Sequence, residues 1–242
     1  VGVTNASINT VEEMAMLTQT AIRSLPSKQP MKPSMPPTGT HSPAGTIEFM
    51  GAPMAFHRNA EIYGEGEPAD YLYKVLSGTV RTSKVLADGR RQIGAFYLPG
   101  DIFGLESGDE HTFSAEAITE SQVLVLKRSA LVALAARDND VARQLWTLTS
   151  RELRRVQNHT LLLIQTAQER VTGFLLEMAE RLSIGNAVEL PMSRQDIADY
   201  LGLTIETVSR TLTHLESVAA IEVPTSRRIV LRNRFALSRL NA

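Results

Sequence analysis

The chain has 242 residues, 43% of them hydrophobic, a formal net charge of −1 and no cysteine. That length and apolar content are enough for two modest domains with their own cores. The near-neutral charge argues against indiscriminate attraction to nucleic acid, and the missing cysteines exclude disulfides, thiolate metal sites, cysteine nucleophiles and cysteine-held iron–sulfur clusters.

Residues 1–45 read as an extension. Thr10 to Ile22 has the spacing of a short amphipathic helix through Val11, Met14, Met16, Leu17 and Ile22, after which Pro26, Pro30, Pro33, Pro36, Pro37 and Pro43 exclude regular helix and predict a linker. No leader of basic then apolar residues opens the chain and no run of about 18 apolar residues occurs, so a cytoplasmic protein without a membrane span is expected.

From 46 to 136 the texture changes to short β-like runs. Ala69–Gly78, Thr79–Leu86, Arg91–Leu98 and Ser121–Leu126 alternate with period two or are continuously apolar, and Asp88-Gly89 is a hairpin signal. Several such runs within some eighty residues predict a jelly roll or small barrel.

A long helix is expected next, within 137–165, from about Asn139 to Leu163. Val141, Leu145, Leu148, Glu152, Val156, His159 and Leu163 recur at spacings of three or four, the pattern of a helix–helix seam. Leu145, Leu148, Glu152, Val156, His159 and Leu163 are therefore read as a homodimer interface, with Glu152 and His159 setting register at some cost in stability. Trp146 and Leu153 lie off that stripe, as they would on a helix packed on its own domain. Ala167 to Leu182 then reads as an amphipathic helix with Val171, Phe174, Leu175 and Met178 inward, ended by Ser183–Asn186.

Ser193 to Glu216 has the pattern of two short helices joined at a glycine. Ser193 is an N-cap, Asp196 can reach back as in a capping box, and Ile197, Ala198 and Leu201 form one apolar face. Gly202 can adopt positive φ and end that helix, and Thr204 can cap a second one that buries Val208, Leu212 and Leu215. This is a helix-turn-helix pattern, and the free face of its second helix carries Ile205, Glu206, Ser209 and Arg210. Ile221–Pro224 and Ile229–Leu231 look like strands around Thr225–Arg228, a wing whose arginines Arg227 and Arg228 would lie near phosphates. Local charge agrees: from Ser193 to Ala242 there are seven arginines against five acidic residues. The fold class expected is α+β: an N-terminal jelly roll, a long dimerisation helix, and a winged helix-turn-helix domain over 166–242.

The side chains on that free face match groups in the major groove. The Arg210 fork can donate twice to guanine O6 and N7, Glu206 is acceptor-only and suits the cytosine N4 donor, Ser209 can touch thymine or phosphate, and Ile205 can cover a thymine methyl. Glu206 and Arg210 stand four apart, so they can also pair and hold the guanidinium in place.

Leu203-Thr-Ile-Glu-Thr-Val-Ser-Arg210 resembles the reading helix of the CRP/FNR superfamily of bacterial transcription regulators, in its FNR version. Tyr71–Val80 and Leu98-Pro-Gly-Asp-Ile-Phe-Gly104 resemble the same superfamily's effector domain, and the FixK-like group without cluster cysteines is the nearest likeness. The resemblance implies that Glu206, Ser209 and Arg210 contact bases of an inverted repeat, TTGA, a six-base spacer, then TCAA. It also implies a homodimer, activation through RNA polymerase contacts at a loop such as Ala87–Arg91, and backbone contacts from Ser193, Arg194, Thr204, Thr207, Thr213, Arg227 and Arg228.

In the cyclic-AMP binders of that superfamily Gly104 would be followed by Glu, where this chain has Leu105, and the expected Arg and Ser fall near His111 and Thr112. Both principal ligands are missing, so no cyclic nucleotide or other cofactor is expected. The alternative is a cyclic-nucleotide-responsive regulator with a divergent pocket. His41, His57, His111, His159 and His214 form no metal-ligand spacing, and no G-x-S-x-G, P-loop or dinucleotide glycine pattern occurs, so an enzyme is not expected. With no thiol and no effector, Ser193 is the position to examine for control, because a cysteine there would sit at a helix N-terminus beside Arg194 and be readily ionised.

Overall fold

The computed structural model describes residues 51–106 and 108–240. The helix expected at Thr10–Ile22, the proline-rich stretch and the start of the β region at Ile47 lie outside them. Strands β1 (Ala52–Phe56), β2 (Glu61–Tyr63), β3 (Tyr71–Ser77), β4 (Val80–Val85), β5 (Arg91–Tyr97), β6 (Ile102–Phe103), β7 (Ser114–Ala117) and β8 (Ser121–Lys127) come first. They pair antiparallel in two four-stranded sheets, ordered β1-β8-β3-β6 and β2-β7-β4-β5. The inward residues of both include Tyr63, Tyr73, Val75, Val80, Tyr97 and Phe103. Their rings interlock, with centroids 5.1 Å apart for Tyr73–Phe103 and 4.9 Å for Tyr97–Phe103. The expected jelly roll is present; β3, β4 and β5 fall within three of the predicted runs, and β8 covers the fourth and extends one residue beyond it to Lys127. The pattern of β1 is not legible in the sequence, because four of its five residues are exposed and pairing with β8 holds it instead.

Helices α1 (Arg128–Ala135) and α2 (Asn139–Leu163) follow, the second capped by Asp138, whose carboxylate accepts from the amides of Asp140 and Val141. Then come α3 (Ala167–Leu182), β9 (Ser183–Ile184), β10 (Ala187–Glu189), α4 (Arg194–Leu201), α5 (Ile205–Ser217), β11 (Ile221–Glu222), β12 (Arg228–Leu231) and α6 (Arg234–Leu240). A third sheet, β11-β12-β10-β9, forms the wing. Ser183–Asn186 does more than end a helix: it opens the hairpin that gives this sheet its second pair of strands. Val171, Phe174, Leu175 and Met178 are buried on α3 as their spacing predicts.

The seam expected on α2 is largely used within the protomer. Leu145 and Leu148 pack with Val141 against Leu72, Leu124 and Leu126 on the outside of the roll. The Tyr97 hydroxyl donates to Glu152 at 3.2 Å, and Glu152 is also paired with Arg155. His159 Nε2 meets the Tyr200 carbonyl at 2.8 Å, its ring stacks on Tyr200 at 4.0 Å, and burial holds its pKa below the usual histidine value. Leu163 is half-buried, while Val156 is the one residue of the expected interface that is exposed by more than half. The exposed apolar residues lie on another side: Trp146 (75%), Leu153 (57%) and Leu161 (60%). At about 100° per residue the two stripes are roughly a third of a turn apart. Spacings of three and four identify an apolar face without saying what covers it.

A β-bulge joins the roll to the helices that follow. In the β4–β5 ladder Thr82 faces Ala95 and Ser83 faces Ile93, which leaves Gly94 unopposed and reverses the alternation. Ala95 and Tyr97 therefore point into the roll, while Ile93 and Phe96 enter the core built by α3, α4 and α5. Phe174 lies within that core, with ring centroids 6.3 Å from Phe96 and 5.8 Å from Tyr200. Phe174→Ala is expected to cost about 3–5 kcal/mol in urea unfolding. Fluorescence and circular dichroism should follow one shared transition to lower urea, whereas loss confined to the winged part would contradict a shared core.

Candidate nucleic-acid interface

The local chemistry of Ser193 to Glu216 acts as its composition predicts. The Asp196 amide donates to Ser193 Oγ at 3.1 Å and the Ser193 amide donates to Asp196 Oδ2 at 2.9 Å, closing a capping box at the start of α4. Gly202 ends the helix at φ 62°. Thr204 Oγ1 accepts from the Thr207 amide at 3.2 Å and caps α5. Ile197, Ala198, Leu201, Val208, Leu212 and Leu215 are all buried.

That burial turns the other side of α5 outward. Ile205, Glu206, Ser209, Arg210 and Thr213 are exposed together. Glu206 is held below the usual carboxylate pKa by its own backbone amide and by the Thr204 hydroxyl, so it remains an acceptor. The expected Glu206–Arg210 pair is not formed: Arg210 Nε donates to the Glu206 carbonyl oxygen at 3.4 Å, and no ion pair joins the two side chains among the described residues. The cap draws the carboxylate toward the helix start, away from the guanidinium.

The remaining predicted residues are less uniformly placed. Ser193, Thr204 and Arg228 are exposed and Thr207 is half-buried. Arg194 is also half-buried, with a buried Nη1 that bonds nothing and a pKa lowered by burial. Arg227 sits half-buried at the wing turn, where the Thr225 hydroxyl accepts from the Arg228 amide at 3.0 Å.

Sequence reasoning did not find what seats α4. Asp196 is 4% exposed. Its Oδ1 accepts from Arg81 at 2.6 Å and Arg91 at 2.8 Å, both from the roll, while Oδ2 serves the cap. Arg81 continues to Glu116 at 2.8 Å, and Arg91 to Asp199 at 2.7 Å. Partners more than a hundred residues apart leave no local signal. Arg91 is thereby withdrawn from the loop Ala87–Arg91, whose other four residues are exposed.

A cavity of about 240 Å³ occupies the position of the expected nucleotide pocket, lined by Tyr63, Gly104, Leu105, Glu106, Thr112 and Phe113 from the roll and by Glu152 and Arg155 from α2. His111 is 2% exposed, stacks on Tyr63 at 3.5 Å and lies 3.2 Å from Glu106. Arg155 supplies an arginine that the sequence of the roll lacks. Its guanidinium is occupied by Glu152 and by the Tyr97 hydroxyl at 2.9 Å.

Residues 169–240 match the model of the Crp-like helix-turn-helix domain, and residues 53–138 match that of the cyclic nucleotide-binding domain. The nitrogen fixation regulation protein FixK of Azorhizobium caulinodans is 53% identical over 206 residues, covering 83% of each chain. FixK of Rhizobium meliloti is 41% identical over 203 residues, covering 80% of this chain and 93% of its own. The structure of FixK2 from Bradyrhizobium japonicum superposes with a TM-score of 0.76 at 53% identity, covering 79% of this chain and 98% of that one.

Asp196→Ala leaves two largely buried guanidinium groups without their shared acceptor and is expected to cost about 3–5 kcal/mol in urea unfolding. Asp196→Asn, which keeps an acceptor oxygen, should cost less. Equal stability of Asp196→Ala and the parent chain would show that the arginines find other partners.

Proposed function

Because the chain belongs to the CRP/FNR family of transcription regulators and stands close to the FixK proteins, we propose that it binds as a homodimer to an inverted repeat of the form TTGA, six bases, TCAA. The observation that carries this reading is α5, whose buried face and capped start leave Ile205, Glu206, Ser209 and Arg210 together in solvent. Arg210 would donate to the guanine and the ionised Glu206 would accept from cytosine, with Ser209 and Ile205 against thymine. Ser193, Arg194, Thr204, Thr207, Thr213, Arg227 and Arg228 are assigned to the DNA backbone. The domains are taken as 1–45, 46–136, 137–165 and 166–242 in this reading.

The second copy is assigned to the exposed side of α2, through Trp146, Leu153, Val156 and Leu161. An apolar stripe on a helix of 25 residues is what a parallel partner helix would cover. Two-fold symmetry would set two copies of α5 about 34 Å apart, one turn of DNA. The regulator acts as an activator in this reading, with the exposed hairpin Ala87–Arg90 turned to RNA polymerase. It needs no cyclic nucleotide: Glu106 and Glu152 oppose a bound phosphate, and Arg155 is already engaged. Control is then assigned to Ser193, where added bulk or negative charge would break the α4 cap and face DNA phosphates.

A mobility-shift assay on TTGA-N6-TCAA DNA tests the reading. Effector-free protein should bind it well above random DNA, and a strict requirement for cyclic AMP would favour the divergent-pocket alternative. Arg210→Ala should lose about 1–3 kcal/mol of discrimination at the guanine, and equal weakening on random DNA would count against base contact. Leu153→Arg should yield monomers in sedimentation. A dimer surviving that change would move the interface elsewhere.

A further inference from the structure

A cavity of about 250 Å³, separate from the nucleotide-pocket remnant, lies where the roll meets the winged part. Four arginines line it: Arg58 from the β1–β2 turn, Arg81 from β4, Arg91 from β5 and Arg227 from the wing turn. Asn59, Ser193 and Asp196 complete its polar wall. Two of these cations are matched, since Arg81 and Arg91 share Asp196 and reach Glu116 and Asp199. Arg58 and Arg227 make no ion pair among the described residues. The Arg81 side chain is 11% exposed, yet its buried Nε donates to nothing. Buried donors in folded proteins are nearly always satisfied. Asp196 is the one carboxylate in the lining, and both of its oxygens are taken by Arg81, Arg91 and Ser193.

We propose that this joint is a binding site for a phosphate group, held by Arg58, Arg81 and Arg227. Guanidinium groups fit the geometry of a tetrahedral oxyanion and pair with it through charge-assisted hydrogen bonds. The size admits inorganic phosphate or a small phosphate ester. The bound anion neutralises the two unmatched arginines and links the β1–β2 turn to the wing turn, so it reinforces the seating of α4 that Asp196 begins. Arg227 and Ser193 are shared with the proposed DNA backbone contacts, whereas Arg58 and Arg81 are not, so substituting Arg58 tests the site separately from the operator reading.

Thermal unfolding of the full chain with inorganic phosphate, at ionic strength matched with sodium chloride, tests this directly. The midpoint should rise with phosphate and saturate. Arg58→Ala, at an exposed turn outside the Asp196 network, should raise the phosphate concentration needed by about tenfold, as loss of a charge-assisted bond predicts. Arg58→Lys should fall between the two. Equal stabilisation by chloride, or an unchanged phosphate response in Arg58→Ala, would overturn the site. Gel shifts on random DNA in phosphate-free buffer distinguish the source. If Arg58→Ala weakens DNA binding and phosphate competes with DNA, the occupant is a backbone phosphate. If DNA binding is unchanged by the substitution, the occupant is a free phosphorylated small molecule.

Discussion

The carboxylate of Asp196 joins two tasks that are usually separate. One oxygen closes the capping box that starts α4, and the other accepts from Arg81 and Arg91 of the roll at 2.6 and 2.8 Å. A capping interaction alone would orient only the first turn of a helix. By sharing the group with two largely buried guanidiniums, the fold makes the position of α4 depend on the register of β4 and β5. Since α5 follows α4 after a three-residue turn, the direction of its exposed face depends on that register too.

The same strands carry the apolar half of the joint. The Gly94 bulge puts Ile93 and Phe96 on one side of β5 although they are three residues apart, and that side meets Phe174 and Tyr200. On α2, His159 stacks on Tyr200, and Tyr97 bonds both Glu152 and Arg155. The long helix is thus tied along one side to its own protomer, which leaves the Trp146–Leu153 side as the surface the proposed dimer would use. Cavity and helix are connected as well: Arg155 stands over the Tyr97 ring at 4.5 Å, where the cavity wall and α2 meet.

Local interactions were legible in the amino-acid order. Caps at Ser193 and Thr204, the left-handed Gly202, the amphipathic stripe of α3 and the alternation of β3 and β8 all depend on neighbours a few residues away. Residues 205–210 could be recognised for the same reason, since a capped amphipathic helix has a determined outer face. The expected Glu206–Arg210 pair failed because two acceptable partners competed for one carboxylate, and the Thr204 cap prevailed. The side of α2 free for a second copy was not legible, because its spacing marks an apolar face without showing that Leu145, Leu148, Glu152 and His159 are engaged within the protomer.

What the sequence by itself determined is therefore β3, β4, β5 and β8, the helices α2 to α5, the family, and the side chains that α5 presents. Tertiary structure alone decided which side of α2 remains exposed, that Arg81 and Arg91 grip the helix cap, that Arg155 reaches the cavity of the roll, and that four arginines converge beside Ser193. The physical reason is range. Helix periodicity and capping act over three or four residues, whereas burial and ion pairing join groups such as Arg81 and Asp196, which come together only after the roll has closed and the winged part has packed against it.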